Sequence, residues 1–186
     1  MDPSVFVHEK ALCESDQVGS RTRIWAFAQV MRGAVIGEDC NVCGHTFIEG
    51  GAHLGNRVTV KNGVQVWDGV TLEDDVFLGP NTTLTNDLRP RVGFESELLA
   101  TRVRRGASIG ANATLVCGVT IGEHALIGSG SVVTHDVASY ALALGNPARR
   151  GGWVCACGLG LDQDLACSCG RSFRLVDEAV GLAPVG

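Results

Sequence analysis

Two groups of residues in this 186-residue chain could do chemistry by their types and spacing. Near the C-terminus, CACGLGLDQDLACSCG holds two CxCG units built on Cys155, Cys157, Cys167 and Cys169. Four thiols in two close pairs suit tetrahedral zinc, and the glycine after each pair lets the backbone turn around the metal. Four sulfur ligands leave no position for water, so a zinc ion here would be structural and not hydrolytic. The spacing is tighter than the commoner CxxC, and a reduced tail without metal is the competing reading. Elsewhere Cys40 reads as core packing, Cys40 with Cys43 is a weak ligand pattern, and Cys13 and Cys117 have no assigned role.

The second group surrounds TNDLRPRVGFESELLATR, which begins at Thr85 and carries Asn86 and Asp87, together with Glu49, Trp67 and Asp68 earlier in the chain. An indole can stack on a ring, and carboxylates and an amide can hold hydroxyl and amine groups. What would gather residues so far apart is a period of six. An aliphatic residue recurs at Ile24, Val30, Ile36, Val42, Ile48, Leu54, Val60, Val66, Leu72, Leu78 and Leu84, and the series resumes at Val103, Ile109, Leu115, Ile121, Ile127 and Val133. Four places after each of the first ten stands a small or β-branched residue, from Ala28 and Ala34 to Val76 and Thr82.

A helix needs apolar spacing near 3.6 and a half-buried strand alternates at two, so neither accounts for a sustained six. Hexapeptide repeats predict a parallel β-helix, an all-β solenoid that turns a corner after each short strand. Stacked coils would lie about 4.8 Å apart. The period breaks once, so the loop at about 85–102 replaces a corner, and Leu115 is expected to stack over Leu84. Thr85, Trp67 and Glu49 then share one column; Asn86 lies above Asp68 in the next, with Arg32 further down. A pocket at the mouth of the loop and a corner of solvated polar side chains are both compatible with that arrangement. The organisation predicted is a β-helix over 1–150, the inserted loop within it, and a small Cys-rich appendage over 151–186.

A formal charge of −5 argues against nucleic acid as a partner, because phosphate binding needs clustered Lys and Arg in excess. The start MDPSVFVHEK lacks the basic and apolar parts of a signal peptide, and no apolar run reaches the roughly 20 residues that span a bilayer. A cytoplasmic protein with no membrane partner is the expectation.

The stretches FVHEKALCESDQVGSRTRIWAF, VQVWDGVTLEDDVFLGPNTTLTNDLRPR, RRGASIGANATLVCGVTIGEHALIGSGSVVTHDV and GNPAR resemble the nucleotide-sugar N-acetyltransferases of the left-handed β-helix superfamily. The likeness is strongest to those acting on 3-amino sugars linked to dTDP or UDP, and it covers residues 5 to about 150. It implies the left hand of the coil, a homotrimer with active sites between adjacent prisms, and acetyl-CoA lying along the coils beyond the loop. It also implies that Asn86 holds the sugar amine near the thioester and that Glu49, Trp67, Asp68 and Asp87 line the sugar side. Arg89 and Arg91 would lie nearer the diphosphate. Ala111 and Ser129, small residues 18 apart, would meet the pantetheine arm, with Thr134, His135 and Arg149 towards the CoA nucleotide.

Acetyl transfer to an amine needs an unprotonated nucleophile and a polarised carbonyl. The loop from Thr85 to Thr101 holds no histidine that could act as base. A neutral amine can attack first and release its proton afterwards to the departing thiolate, with Asn86 orienting it. His45, the histidine closest in register to the proposed pocket and a candidate to line it, is the rival as general base. Three other functions compete. A carbonic-anhydrase-like hydrolyase would need histidines sharing columns, which they do not; a non-catalytic solenoid leaves the loop unexplained; a sugar O-acetyltransferase would want the missing loop histidine.

Overall fold

The computed structural model describes residues 2–94 and 98–185. No helix occurs among them, and none is therefore long and apolar enough to cross a membrane. The chain winds as a three-sided parallel β-helix whose sides are ladders of two- and three-residue strands. The first side runs from Phe6–Val7 through Arg23–Ile24, Asn41–Val42, Thr59–Val60, Phe77–Leu78 and Ser108–Ile109 to Leu126–Ile127. The second runs from Leu12–Cys13 to Val132–Val133, and the third from Val35–Ile36 to Thr120–Ile121. Regular coils pair residues 18 apart, as Asn41 with Thr59 and Gln29 with Phe47.

The period of six is the cause. Every aliphatic position of the repeat points inward and is at most 3% exposed, and the small slots from Ala28 to Thr82 are sealed as well. Fully burying such a side chain contributes about 1.5–3 kcal/mol, and the repeat adds one with each strand. The polar exceptions are satisfied. Thr46 and Thr82 donate their hydroxyls to the carbonyls of Cys43 and Gly79, each at 2.9 Å.

Corners leave little room. A Cβ on Gly37 would sit 2.5 Å from the Gly55 carbonyl oxygen, so a side chain there would push neighbouring coils apart. Asp39, Arg57, Asp75 and His124 turn the third corner with positive φ, and salt bridges from Arg21 to Asp39 and from Arg57 to Asp75 climb its exposed edge.

The single interruption leaves the corner between the second and third sides. Leu84 pairs with Leu115 and Leu72 with Val103, each 31 residues on instead of 18, so 13 extra residues bulge out and the coil closes again. The chain is back in the prism at the strand Thr101–Val103.

After the last coil the strand Ala141–Leu144 turns back, through Gly145 and Pro147, into the antiparallel strand Arg149–Trp153. That strand crosses position 150, so prism and tail are joined by a continuous hairpin. The tail adds a second hairpin, Phe173–Asp177 with Gly181–Pro184, and a small core of Tyr140, Cys155, Cys167, Phe173 and Leu182.

Candidate functional site

At the loop corner the observed register stacks Glu49, Trp67 and Thr85, since Phe47, Gln65 and Thr83 pair in turn just before them. Trp67 is half-buried, donates its indole N–H to the Leu84 carbonyl at 2.7 Å, and tilts against Phe47 with ring centroids 5.7 Å apart. Its polar edge therefore belongs to the scaffold. Glu49 accepts the backbone N–H of Asp68 at 2.8 Å, which spends one carboxylate oxygen on the corner itself.

Asp68 and Asn86 follow one another in the adjoining column. Gly51 makes that column possible: its φ of +91° is left-handed, and a Cβ there would lie 2.1 Å from an Asp68 carboxylate oxygen. Asn86 stands at the root of the loop, where its carbonyl accepts the N–H of Leu99 at 3.3 Å and Asp87 bridges to Leu98. The loop's two limbs are thus pinned at its base. Asp87 also accepts the N–H of Arg89 at 2.9 Å, while Arg89, Arg91 and the apolar Val92 and Phe94 are exposed.

One coil further along this column is Cys117, buried, whose N–H is accepted by the Thr85 hydroxyl at 2.9 Å. The expected stacking of Leu115 over Leu84 already placed it above Asn86, but its residue type alone suggested no role there. Leu115 pairs with Val133, so His135 comes one coil beyond Cys117, about 10 Å from Asn86. Thr134 and His135 touch, hydroxyl to Nδ1, at 2.8 Å. His135 and Arg149 share a cavity of about 480 Å³ with Asp136, Ala148, Arg150 and Glu178.

Two other sequence-selected groups lie elsewhere. Ala111 and Ser129 stack on the corner between the first and second sides, as the pairing of Ile109 with Ile127 requires. His45 is on that same corner, exposed, with φ +59° and its ring stacked on Phe27 at 5.0 Å. Proximity of His45 to the loop pocket does not hold within one chain. The repeat counts coils correctly, but His45 follows a strand of the first side and Asn86 a strand of the second.

In the tail, the sulfur atoms of Cys155, Cys157, Cys167 and Cys169 lie within 4.8 Å of one another. Cys155 and Cys169 approach to 3.6 Å, as do Cys157 and Cys167.

Two hexapeptide patterns match the prism on either side of the loop: the one described as "Hexapeptide repeat of succinyl-transferase" over residues 33–68, and "Bacterial transferase hexapeptide (six repeats)" over residues 100–135. The chain is also 50% identical, over 94% of its length and 93% of the relative's, to a dTDP-3-amino-3,6-dideoxy-alpha-D-galactopyranose 3-N-acetyltransferase of Aneurinibacillus thermoaerophilus. The chain belongs to the hexapeptide-repeat N-acetyltransferases. Among solved structures, this N-acetyltransferase is similar to a hexapeptide-repeat acetyltransferase of Vibrio cholerae O1 biovar eltor complexed with acetyl coenzyme A, at 27% identity and a TM-score of 0.57 over 65% of this chain and 70% of that one. A galactoside acetyltransferase in complex with coenzyme A matches at 26% identity and a TM-score of 0.58, covering 65% and 64%.

Proposed function

We propose that this N-acetyltransferase moves acetyl from acetyl-CoA to the 3-amino group of a dTDP-linked 3-amino-deoxyhexose, in the cytoplasm, as a homotrimer serving synthesis of a surface polysaccharide or a glycosylated product. The observation that carries the reading is Asn86: it stands at the base of the single inserted loop, in a chain half-identical along nearly its whole length to an enzyme of that activity.

Asn86 would accept a hydrogen bond from the neutral sugar amine and aim its lone pair at the thioester carbon. As the N–C bond forms, negative charge develops on the carbonyl oxygen, where backbone N–H groups would stabilise it. Collapse breaks the C–S bond, and the departing thiolate takes the ammonium proton, which gives amide and free CoA without a protein base. Glu49, Trp67, Asp68 and Asp87 would line the sugar, and Arg89 and Arg91 would meet the diphosphate. Ala111 and Ser129 would flank pantetheine, with Thr134, His135 and Arg149 at the CoA nucleotide.

The division of this set supports the trimeric reading. Ala111, Ser129 and His45 occupy one corner of the prism and Asn86 another, and one chain cannot fold them together; a neighbouring prism can supply the missing half. Exposed Val92 and Phe94 on the loop give the neighbour apolar surface to cover. His45 would enter such a site from a second copy. Zinc on the tail thiols would be structural and take no part in transfer.

The test is turnover of acetyl-CoA against dTDP- and UDP-linked amino sugars and their hydroxyl counterparts, with wild type and Asn86→Ala. Turnover confined to a dTDP-linked 3-amino sugar and impaired in the variant is the expected result. Activity on hydroxyl sugars alone would replace this reading with O-acetylation.

A further inference from the structure

The tail has too little apolar surface to hold itself. Segments below about 40 residues need a disulfide, a metal or a partner to stay folded. This one encloses Tyr140, Phe173 and Leu182 with two cysteines, Cys155 and Cys167, and all four cysteines are free thiols.

Around the sulfurs the backbone makes the same turn twice. Gly158 donates to the Cys155 carbonyl and Cys155 to the Leu159 carbonyl, both at 2.8 Å. Gly170 donates to Cys167 at 2.9 Å and Cys167 to Arg171 at 2.8 Å. Gly158 and Gly170 have φ of +88° and +92°, the left-handed region in which other residues are strained. Two equivalent turns facing each other deliver four sulfurs to one point. Zinc held by four thiolates at about 2.3 Å sets its ligands about 3.8 Å apart, and the separations of 3.6 Å match that edge. Such a centre carries excess negative charge, and the Arg171 guanidinium lies 3.5 Å from the Cys169 sulfur to offset it.

The cluster sits between the two tail segments that line the cavity holding His135 and Arg149. Upstream, the strand Arg149–Trp153 runs into Val154 and Cys155; its Arg150 guanidinium lies over the Trp153 ring, 4.3 Å from the centroid. Downstream, the hairpin after Cys169 carries Glu178, which pairs with Arg150 and also lines the cavity. That hairpin docks on the last coil, where Ser139 donates to the Val180 carbonyl at 3.1 Å and accepts the Leu182 N–H at 3.2 Å. The sulfurs and the Arg150–Glu178 ion pair both join the two segments.

We propose that Cys155, Cys157, Cys167 and Cys169 bind one zinc ion, and that this ion fixes the wall of the cavity that receives the nucleotide end of the acyl donor. The second half rests on the acetyl-CoA reading of that cavity; the first does not. Zinc clamps the end of the Arg149–Trp153 strand to the hairpin, which holds Arg149 and Arg150 facing His135 across the space a phosphorylated nucleotide would fill.

The experiment measures metal content, the visible spectrum of the cobalt-substituted protein, and acetyl-CoA binding by calorimetry without sugar. Its variants are Cys157→Ser with Cys169→Ser, which are exposed and least needed for packing, and Cys169→Ser alone, which leaves three ligands but frees the segment that leads into the hairpin. Expected are one zinc per chain, the intense cobalt bands of a tetrahedral thiolate site, and a double variant that holds no metal. Donor binding should weaken about tenfold in both variants, as loss of one charge-assisted contact implies. A protein with free thiols that takes up no zinc would overturn the metal site. Metal-free protein that binds acetyl-CoA as tightly as loaded protein would overturn the clamp; if stripping unfolds the chain, unchanged binding by Cys169→Ser alone, which detaches the hairpin side from the ion, would do so instead. Zinc-loaded wild type that binds no acetyl-CoA would overturn the donor reading and the clamp with it, and leave the metal site standing.

Discussion

Gly51→Ala should damage use of the sugar while sparing use of the donor. Holding an alanine in the left-handed region costs about 1–2 kcal/mol, and the φ of +91° at position 51 leaves no easy alternative. The new methyl would also lie 2.1 Å from an Asp68 carboxylate oxygen, well inside contact distance, so something must move. What moves is the end of a flexible side chain, so the chain still folds, but Asp68 swings out of the column it shares with Asn86. Loss of one hydrogen bond to a charged group, about 1.5–3 kcal/mol, would raise the KM for the amino sugar roughly tenfold or more. The KM for acetyl-CoA should stay within a factor of about two, because Asp68 lies two or more coils, about 10 Å or more, from His135 and Arg149. Gly37→Ala is the contrasting control: its methyl would strike backbone of the next coil, which cannot swing aside, and the chain should fail to fold. The assay should follow loss of thioester absorbance, because exposed Cys157 and Cys169 would consume a thiol reagent. Equal rises in both KM values, or an Asp68→Ala variant with unchanged sugar KM, would refute the placement of Asp68 in the sugar site.

Asn86→Ala should lower kcat about 100-fold with a modest change in KM, because orientation of the amine is worth most in the transition state; pre-steady-state acetyl transfer checks it, and an unchanged rate would remove Asn86 from the chemistry. His45→Ala should leave the pH profile of kcat/KM unchanged if the thiolate takes the proton, whereas loss of an acid limb would make His45 the base. His124 predicts a stability effect: burial against Tyr140 pushes its pKa down, so the unfolded chain takes up a proton first, near the usual 6.5. Its contribution is constant above about pH 6.5 and stability falls as the pH drops below it. Denaturation midpoints measured from pH 8 to 5 should fall less steeply in His124→Asn, since asparagine tolerates the φ of +53° at that corner. An identical slope would clear His124 of the effect.

The sequence by itself determined the solenoid. Aliphatic residues six apart can be buried together only if the chain turns a corner after each short strand, and the slip of 13 residues between Leu84 and Leu115 marked where the loop leaves. The paired cysteines, each pair with one residue between and a glycine after, likewise pointed to a common centre, and their sulfurs do converge. What the sequence left open was which corner each residue occupies and what its side chain is already doing. His45 and Asn86 share the repeat but sit on different corners, and Trp67 gives its N–H to the Leu84 carbonyl. The stacking of Cys117 on Asn86 was implied by the register, but the hydrogen bond from its N–H to the Thr85 hydroxyl was not. The clasp of the tail on Ser139, and the crossing of position 150 by one strand, were equally out of reach. A period records what each residue buries; only the folded chain decides which distant coils, hydrogen bonds and tail segments meet at one place.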